Sequence, residues 1–482
     1  IQEIDGRAIL APITRAAERI EEPRPRSQIL DIVARGRSGR RGPVFLEVCL
    51  DAQGAPVDPA LYNDGTQLPW TGPSAEAVAT ARAAVTIVVE HLKKAERPIL
   101  LIGGGVTRET AAAVSDSLRR LAVPVMTTWN AADRIRFDEP HYVGRPNTWG
   151  ERSANIILRQ ADCIVALGTR LGIQQTGFNW QEFGRDATIV QVDLDPAELQ
   201  KGHPNVAIPI AGDANTLLRE IADADLGDYS AWLAFAREVR TLLPLNETAN
   251  ETAPGFISPY TFYQQLSRAS NARDNFIPCS SGGANFTAMQ VMEQTGQTIV
   301  TDKGLASMGI GLAGAIGTAL AHPNRRTLVV EGDGGFIQNL QELATVAVNR
   351  LNVKIFIFAN DGYASIRSSQ KNYFGGAYLG CDIASGLGFP DWEPLFTAFR
   401  IPVMTLDETG LDSAAARSAL ASEGAYGFIV PIDPEQTYLP KITSRIVASG
   451  SMESNPLHLM TPELPPDIGE RVFRYLADRE RV

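Results

Sequence analysis

The chain has 482 residues, 44% of them hydrophobic and 21% charged, which is ordinary for a soluble globular protein and, at roughly 150 residues per domain, suggests about three domains. Its 44 Lys and Arg against 55 Asp and Glu give a net charge of −11 without basic blocks, which argues against nucleic acid or an anionic membrane as partner. Cys49, Cys163, Cys279 and Cys381 are scattered and form no CxxC pair, and no apolar run is long enough to span a bilayer, so the expectation is a reducing, cytoplasmic setting with neither a disulfide framework nor a zinc site.

The chain opens with Ile1-Gln2-Glu3-Ile4, with no initiator Met and no signal-like segment, and reads as the middle of a domain. A targeting segment upstream stays open. Residues 1–50 read as a helix around 27–36 followed by a first strand at 44–48, too little for a domain of their own. Residues 51–75 carry Gly54, Pro56, Pro59, Pro69 and Pro73 and read as a linker. From 76 to 243 a helix at 76–94 leads to strands at 99–102, 123–126, 163–167 and 188–192. Short β-rich runs between helical stretches imply βαβ units around a parallel sheet. Residues 244–258 are mostly polar and read as a second linker, with the Asn246-Glu247-Thr248 and Asn250-Glu251-Thr252 sequons as chance matches. From 259 to 433 the alternation resumes, with strands at 276–278, 298–301, 327–331, 353–358 and 428–430. Residues 434–482 are Pro-rich up to a short helix near 470–476.

The chemistry is concentrated at Gly332-Asp333-Gly334-Gly335-Phe336, one helix and one strand before Asn360-Asp361-Gly362-Tyr363. Asp333 and Asn360 each follow a strand, and a right-handed βαβ unit puts those strand ends on one sheet edge, where open α/β sheets bind ligands. A carboxylate and an amide oxygen are hard donors. Mg²⁺ takes about six oxygens and fills its set with phosphate and water. The glycines admit a diphosphate close to backbone N–H groups, and a helix expected to start near Phe336 would point its N-terminus at that charge. Gly-Asp-Gly alone is more often a plain turn; Asn360 at one βαβ distance favours a Mg²⁺-diphosphate cradle.

This constellation resembles the thiamine diphosphate (ThDP) motif of the acetolactate synthase-like enzymes. The resemblance implies Asp333, Asn360 and the Gly362 carbonyl as Mg²⁺ ligands, with Gly332, Gly334, Gly335, Tyr363 and Ala364 at the cofactor. Thr301-Asp302-Lys303-Gly304-Leu305-Ala306-Ser307-Met308 resembles the family stretch whose Met props the cofactor, which places Ala306 and Met308 there, though Met308 could equally be core filler. Ser281, Gly282 and Gly283 lie where the family grips the diphosphate from the other side. Residues 42–48 resemble the end of the pyrimidine-binding domain, and Gln2-Glu3 its active-site Gln-Glu pair, so Gln2 and Met308 are the catalytic candidates. The activating Glu of that domain is expected upstream of Ile1 and is not assigned to Glu3, Glu18, Glu21, Glu22 or Glu47. Either the N-terminal part lies outside this chain or the chain as it stands is inactive.

The implied architecture is α/β, three domains of parallel sheets flanked by helices: residues 1–50 the C-terminal part of the pyrimidine-binding domain, 76–243 a central Rossmann-like domain, 259–433 the diphosphate- and Mg²⁺-binding domain, and 434–482 a C-terminal lid. In the central domain Gly103, Gly104 and Gly105 after a strand are by themselves more often a tight turn. With Thr127, Thr128, Gly168, Arg170, Asp193, Asp195, Gly212 and Asp213 at further strand ends, they resemble the FAD positions of acetolactate synthases, with Arg170 at the diphosphate and Asp193 at the ribose; some relatives leave this domain empty.

The implied reaction is decarboxylation of a 2-oxo acid such as pyruvate and transfer of the acyl carbanion to an acceptor carbonyl, in a homodimer or homotetramer whose sites lie between subunits. Where the family carries a Met and a pocket-shaping Trp, this chain has Ser365 and Ser369, which leaves room for a larger or more polar acceptor, though Ser365, Ser369 and Gln370 could equally be solvated loop residues. The tail 454–462 resembles that of branched-chain-sugar and surface-polysaccharide carboligases, which act on keto sugars. An ordinary acetolactate synthase, a flavin-dependent 2-oxo acid oxidase and a non-catalytic scaffold are the alternatives. His458 is expected to be structural or exposed more than to face the site.

Overall fold

A computed structural model describes the chain apart from residues 1–3, 70–71, 251, 280–281, 447–449, 451 and 478–482. Gln2, Glu3, Ser280 and Ser281 therefore lie outside the described residues. Among the described residues no helix is long and apolar enough to cross a membrane.

The N-terminal stretch holds more than the one strand expected. β1 (Ala16–Ile20) pairs in parallel with β2 (Val44–Val48), Ala16 opposite Val44, and helix Arg26–Arg37 makes the crossover. β1 hides in the sequence because Glu18 and Arg19 interrupt its apolar pattern. Both side chains are paired: Arg19 Nε with Glu47 at 2.7 Å and Arg35 with Glu18 at 2.8 Å. The hydrogen bond from Arg35 holds the Glu18 carboxyl below its ordinary range.

The helix expected at 76–94 is two, Ala75–Ala83 and Val85–Lys94, the first capped by Ser74, whose Oγ accepts from Ala77 N at 3.1 Å. Beyond it lies a five-stranded parallel sheet. In chain order its strands are β3 (Pro98–Ile102), β4 (Val125–Thr127), β5 (Cys163–Leu167), β6 (Thr188–Asp193) and β7 (Ile208–Ala211), arranged β4-β3-β5-β6-β7. Every residue of β3 and β5 is buried, as in a sheet covered by helices on both faces.

The second large sheet comprises β8 (Asn275–Pro278), β9 (Thr298–Ile299), β10 (Thr327–Gly332), β11 (Val353–Ala359), β12 (Val403–Thr405) and β13 (Tyr426–Pro431), in the order β12-β13-β11-β10-β8-β9. All its pairs are parallel. The α/β class with parallel sheets flanked by helices is thus as expected. Within the two large sheets, the strands that sequence patterning passed over, β7 and β12, are both sheet edges. Edge strands need no continuous apolar run, and β7 carries Pro209, which only an edge tolerates.

Between the large sheets, residues 243–258 form no helix or strand in their described part. Asn250 is buried, donating to Leu439 O at 2.6 Å and accepting from Leu439 N at 3.0 Å, so its side chain is not open to modification. After β13 the chain makes an antiparallel hairpin, β14 (Ser444–Ile446) with β15 (Met452–Ser454), that sequence patterning missed. Helix Pro466–Val472 then docks on the first large sheet's helices. Val472, Phe473 and Leu476 share a core with Trp232 and Phe235, and Gln160 Nε2 donates to Val472 O at 2.9 Å. His458 is 4% exposed and meets the Phe473 ring edge-on, the structural setting expected of it.

His141, beside β4, is fully buried, and neither ring nitrogen has a hydrogen-bond partner among the described residues. Burial pushes its pKa from 6.5 down to about 4, against a weak pull from Glu139 3.9 Å away. Below pH 6.5 the unfolded chain takes up a proton that the folded chain refuses until about pH 4. The contribution of His141 to stability should therefore be level above that window, fall by about 3 kcal/mol across it as the pH drops, and level again below it. Urea midpoints measured across the window should fall more steeply for the native protein than for His141→Phe. Parallel declines would show that His141 does not set the acid limit.

Candidate active site

β10 and β11 are neighbours in register, with Gly332 opposite Phe358, so Asp333 and Asn360 leave the sheet side by side. Asp333 is 2% exposed. Its Oδ1 accepts from Gly334 N at 2.7 Å, and its Oδ2 from Asn360 N at 3.0 Å and Gly362 N at 3.3 Å. Burial pushes its pKa up to about 6, and these three N–H groups oppose that rise.

The Asn360 side chain completes the cluster. One terminal atom of its amide lies 2.8 Å from Gly362 O and 3.2 and 3.3 Å from the two Asp333 carboxylate oxygens. With nitrogen at that position the amide donates to all three. With oxygen there, it joins the carboxylate and the carbonyl in a cluster that only a cation would tolerate. Among the described residues no three His, Cys, Asp or Glu gather as a metal centre. The donor set is one carboxylate and two neutral oxygens, which suits a hard cation that takes further oxygens from a phosphate and water.

The glycines around it are sterically required. A Cβ on Gly334 would overlap the Tyr363 ring, and one on Gly335 would lie 2.8 Å from Glu331 Oε1. Gly362 has φ +151°, and a Cβ there would overlap Cys381 O. The helix expected near Phe336 differs: the helical turn begins at Asp333 itself and ends at Phe336. Four residues present N–H groups but sum to little dipole, so the turn's directed donors matter more than its macrodipole. Tyr363 and Ala364 open helix Ala364–Tyr373.

Two further loops reach the same edge. Gly282 and Gly283 begin helix Gly282–Val291 after β8, where a Cβ on Gly283 would lie 2.5 Å from the Tyr438 ring and hydroxyl. After β9, Ala306 takes φ +57° and Met308 is 44% exposed, so Met308 is not core filler. Gly309 N donates to Glu331 Oε1 at 3.1 Å, and Asn339 Nδ2 donates to Gly309 O at 3.0 Å, fixing the loop against β10.

Sequence reasoning missed three supporting side chains. Arg367 Nη2 donates to Asn360 O and Pro434 O, both at 2.9 Å, and its Nη1 to Asp361 O at 3.1 Å, so it clamps the turn after β11. Tyr438 packs beside Gly283, and Glu331 holds Gly309. A buried arginine seven residues past Asn360 is a signal, but only once the turn is known to be inside.

The flavin candidates share the C-terminal edge of the first large sheet, yet several are already occupied. Gly105 N donates to Gly168 O at 2.8 Å, and a Cβ on Gly168 would lie 2.9 Å from Gly105, so the glycines of these two loops, Gly103 included, are explained by interlocking. Gly104 is exposed, 3.3 Å from Asn130 by the same measure. Thr127 is buried with Oγ1 3.2 Å from Tyr142 Oη, and Thr128 is buried as well. Asp195 caps helix Pro196–Gln200, and Asp213, after Gly212, caps helix Ala214–Ala222 through Thr216 N at 2.9 Å. Asp193 accepts from Asp195 N at 2.9 Å and faces Arg40 at 3.7 Å. Arg170 is exposed, 3.9 Å from Glu198.

Comparison with known proteins agrees with this geometry. Residues 85–221 match the thiamine pyrophosphate enzyme central domain, and residues 280–430 match the thiamine pyrophosphate enzyme C-terminal TPP binding domain. The chain is 28% identical to the probable acetolactate synthase large subunit of Methanocaldococcus jannaschii, over 92% of this chain and 75% of that protein. It is 28% identical to the acetolactate synthase isozyme 2 large subunit of Escherichia coli, over 92% of this chain and 78% of that protein. The isozyme 1 large subunit of Escherichia coli is also 28% identical, with 92% and 76% covered. With the Asp333–Asn360–Gly362 cluster falling inside the matched C-terminal domain, the chain belongs to the ThDP-dependent, acetolactate synthase-like family of enzymes.

Proposed function

We propose that this protein is a ThDP- and Mg²⁺-dependent carboligase that decarboxylates pyruvate or a related 2-oxo acid and transfers the acyl unit to an acceptor carbonyl larger than pyruvate, a ketone or keto sugar. The observation that carries the reading is the convergence of the Asp333 carboxylate, the Asn360 amide and the Gly362 carbonyl at the end of β10 and β11. When bound, ThDP supplies a nucleophilic ring carbon and an electron sink for the decarboxylation.

The protein's part is placement. Asp333, Asn360 and the Gly362 carbonyl are the oxygens that would hold Mg²⁺ against a diphosphate. Gly332, Gly334 and Gly335, with Gly282 and Gly283 across the edge, keep backbone where side chains would block that diphosphate. Met308 stands exposed on a loop anchored through Gly309, the place for a side chain that supports the cofactor. Tyr363 and Ala364 turn the chain into helix Ala364–Tyr373, on which Ser365 and Ser369 are exposed and small, and this favours the larger acceptor over an ordinary acetolactate synthase reaction.

Leu305, Phe374, Leu379 and Ile383 are 62–84% exposed in the segments flanking this edge. Large apolar groups so placed fit a site completed by a second subunit, in a homodimer or homotetramer. FAD on the edge carrying Gly104 and Arg170 belongs to the same proposal. Arg40 would have to yield Asp193 to a ribose, and Thr127, Asp195 and Asp213 would contribute backbone more than side chains.

The intact protein with ThDP and Mg²⁺ should release CO₂ from pyruvate and give an adduct with a bulky ketone or keto sugar. Acetolactate as the sole product would return the reaction to that of the relatives, and no release from any 2-oxo acid would contradict the carboligase reading. Asp333→Asn should weaken Mg²⁺-dependent ThDP binding, measured by calorimetry, by about 100-fold or more, above the range typical of outer-shell partners of a metal. Undiminished binding would remove Asp333 from the site.

The visible absorption of the purified protein tests the flavin. A flavin spectrum that stays oxidised under pyruvate is expected. Bleaching would favour a flavin-dependent oxidase, and a colourless protein would exclude a retained flavin.

A further inference from the structure

Lys303 sits in the loop after β9, past the same sheet edge from which Asp333 emerges two strands away. Its ammonium stands 5.2 Å from the centre of the Trp129 ring and, among the described residues, makes no hydrogen bond and no ion pair, with Cys279 and Asp302 acting on its charge through space. Trp129 comes from the turn after β4, in the other large sheet. It is 3% exposed, and its indole N–H is buried without an acceptor among the described residues.

The junction around this pair is well tied. Asp133 Oδ2 accepts from Ile299 N at 2.9 Å, and Arg108 Nη2 donates to Ile299 O at 2.7 Å. Arg108 pairs with Asp133 at 2.6 Å, and Arg134 pairs with Asp133 as well. Lys303 thus differs from the neighbouring cations in having no carboxylate in direct contact; Cys279 and Asp302 favour its charge only through space. A ring face is worth about 0.5–2 kcal/mol to a cation, less than the desolvation it faces in such a setting. Burial accordingly holds the Lys303 pKa below its ordinary value. A cation kept there in that state is matched by an anion that comes with a ligand.

We propose that Lys303, seated on Trp129, binds an anionic group of the acceptor substrate, a carboxylate or a phosphate. This rests on the carboligase reading and names the class of acceptor. The donor's carboxylate is a poor candidate. It departs as CO₂, and an ammonium holding it would stabilise the ground state against its own reaction. The cofactor's diphosphate belongs at the ends of β10 and β11, beside Asp333. An anion on the acceptor survives the reaction, so a fixed cation serves it from binding to product.

The test compares two acceptors of similar size, anionic 2-oxobutyrate and neutral 2,3-butanedione, with pyruvate as donor, in the intact protein and in Lys303→Met and Lys303→Arg. The Met variant should lower kcat/KM for 2-oxobutyrate relative to 2,3-butanedione by about 10-fold or more, and the Arg variant should restore most of it. An unchanged ratio, or equal losses for both acceptors, overturns the proposal.

A second readout needs no turnover. Titrating 2-oxobutyrate or inorganic phosphate, without pyruvate, should change the part of the tryptophan emission that Trp129→Phe removes, and Lys303→Met should abolish the response. The more effective of the two anions identifies carboxylate or phosphate as the group recognised. If the protein releases no CO₂ but this response stands, the carboligase reading fails and the anion site survives. If the response is absent, the anion site itself is overturned.

Discussion

The Asp333 carboxylate accepts from the N–H groups of Gly334, Asn360 and Gly362, and so ties the turn after β10 to the turn after β11. A buried carboxylate must be paid for with hydrogen bonds, and here the donors are backbone groups of the turns that carry the other two oxygens of the cluster. The constraint spreads outward. Gly362 must lack a side chain to let Cys381 O approach, Gly334 must lack one to admit the Tyr363 ring, and Arg367 closes the turn from behind by donating to the carbonyls of Asn360 and Asp361. Parallel pairing of β10 and β11 supplies the register on which all of this depends.

Legibility in the sequence followed burial. The strands covered on both faces, β3, β5, β10 and β11, carry apolar runs, broken in β11 by Lys354 and ended in β10 by Glu331, and could be placed to within a residue or so. β7 and β12 lie at edges, where one side of the ladder is unpaired and short or Pro-containing strands survive. β1 was hidden because Glu18 and Arg19 answer Arg35 and Glu47, contacts that no local pattern encodes. At the site, Asp333, Asn360 and Gly362 could be read from residue type and spacing. Arg367, Glu331 and Tyr438 could not, since each acts by touching a segment distant in sequence or turned inward by the fold.

The sheet containing β3 to β7 shows how a glycine pattern divides between ligand and structure. Gly103, Gly105 and Gly168 are needed for two loops to pass each other, whatever the edge binds. Asp195 and Asp213 cap helices. Gly104, Arg170 and Asp193 keep a free side or an exchangeable ion pair, and any flavin would depend on them. Between the two large sheets the contacts through Asp133, Arg108 and Ile299 tie the loops together, so that groups from both, Trp129 and Lys303 among them, meet.

The central claim is that the Asp333–Asn360–Gly362 cluster holds the cation of a bound diphosphate. Crystals of the intact protein grown with ThDP and Mn²⁺, measured by anomalous diffraction, test it most directly. The account requires an anomalous peak bounded by the Asp333 carboxylate, the Asn360 side-chain oxygen and the Gly362 carbonyl, with metal–oxygen distances of about 2.1 Å as for Mg²⁺. A peak elsewhere, or an Asn360 amide nitrogen still donating to the Gly362 carbonyl with ThDP bound, would contradict it.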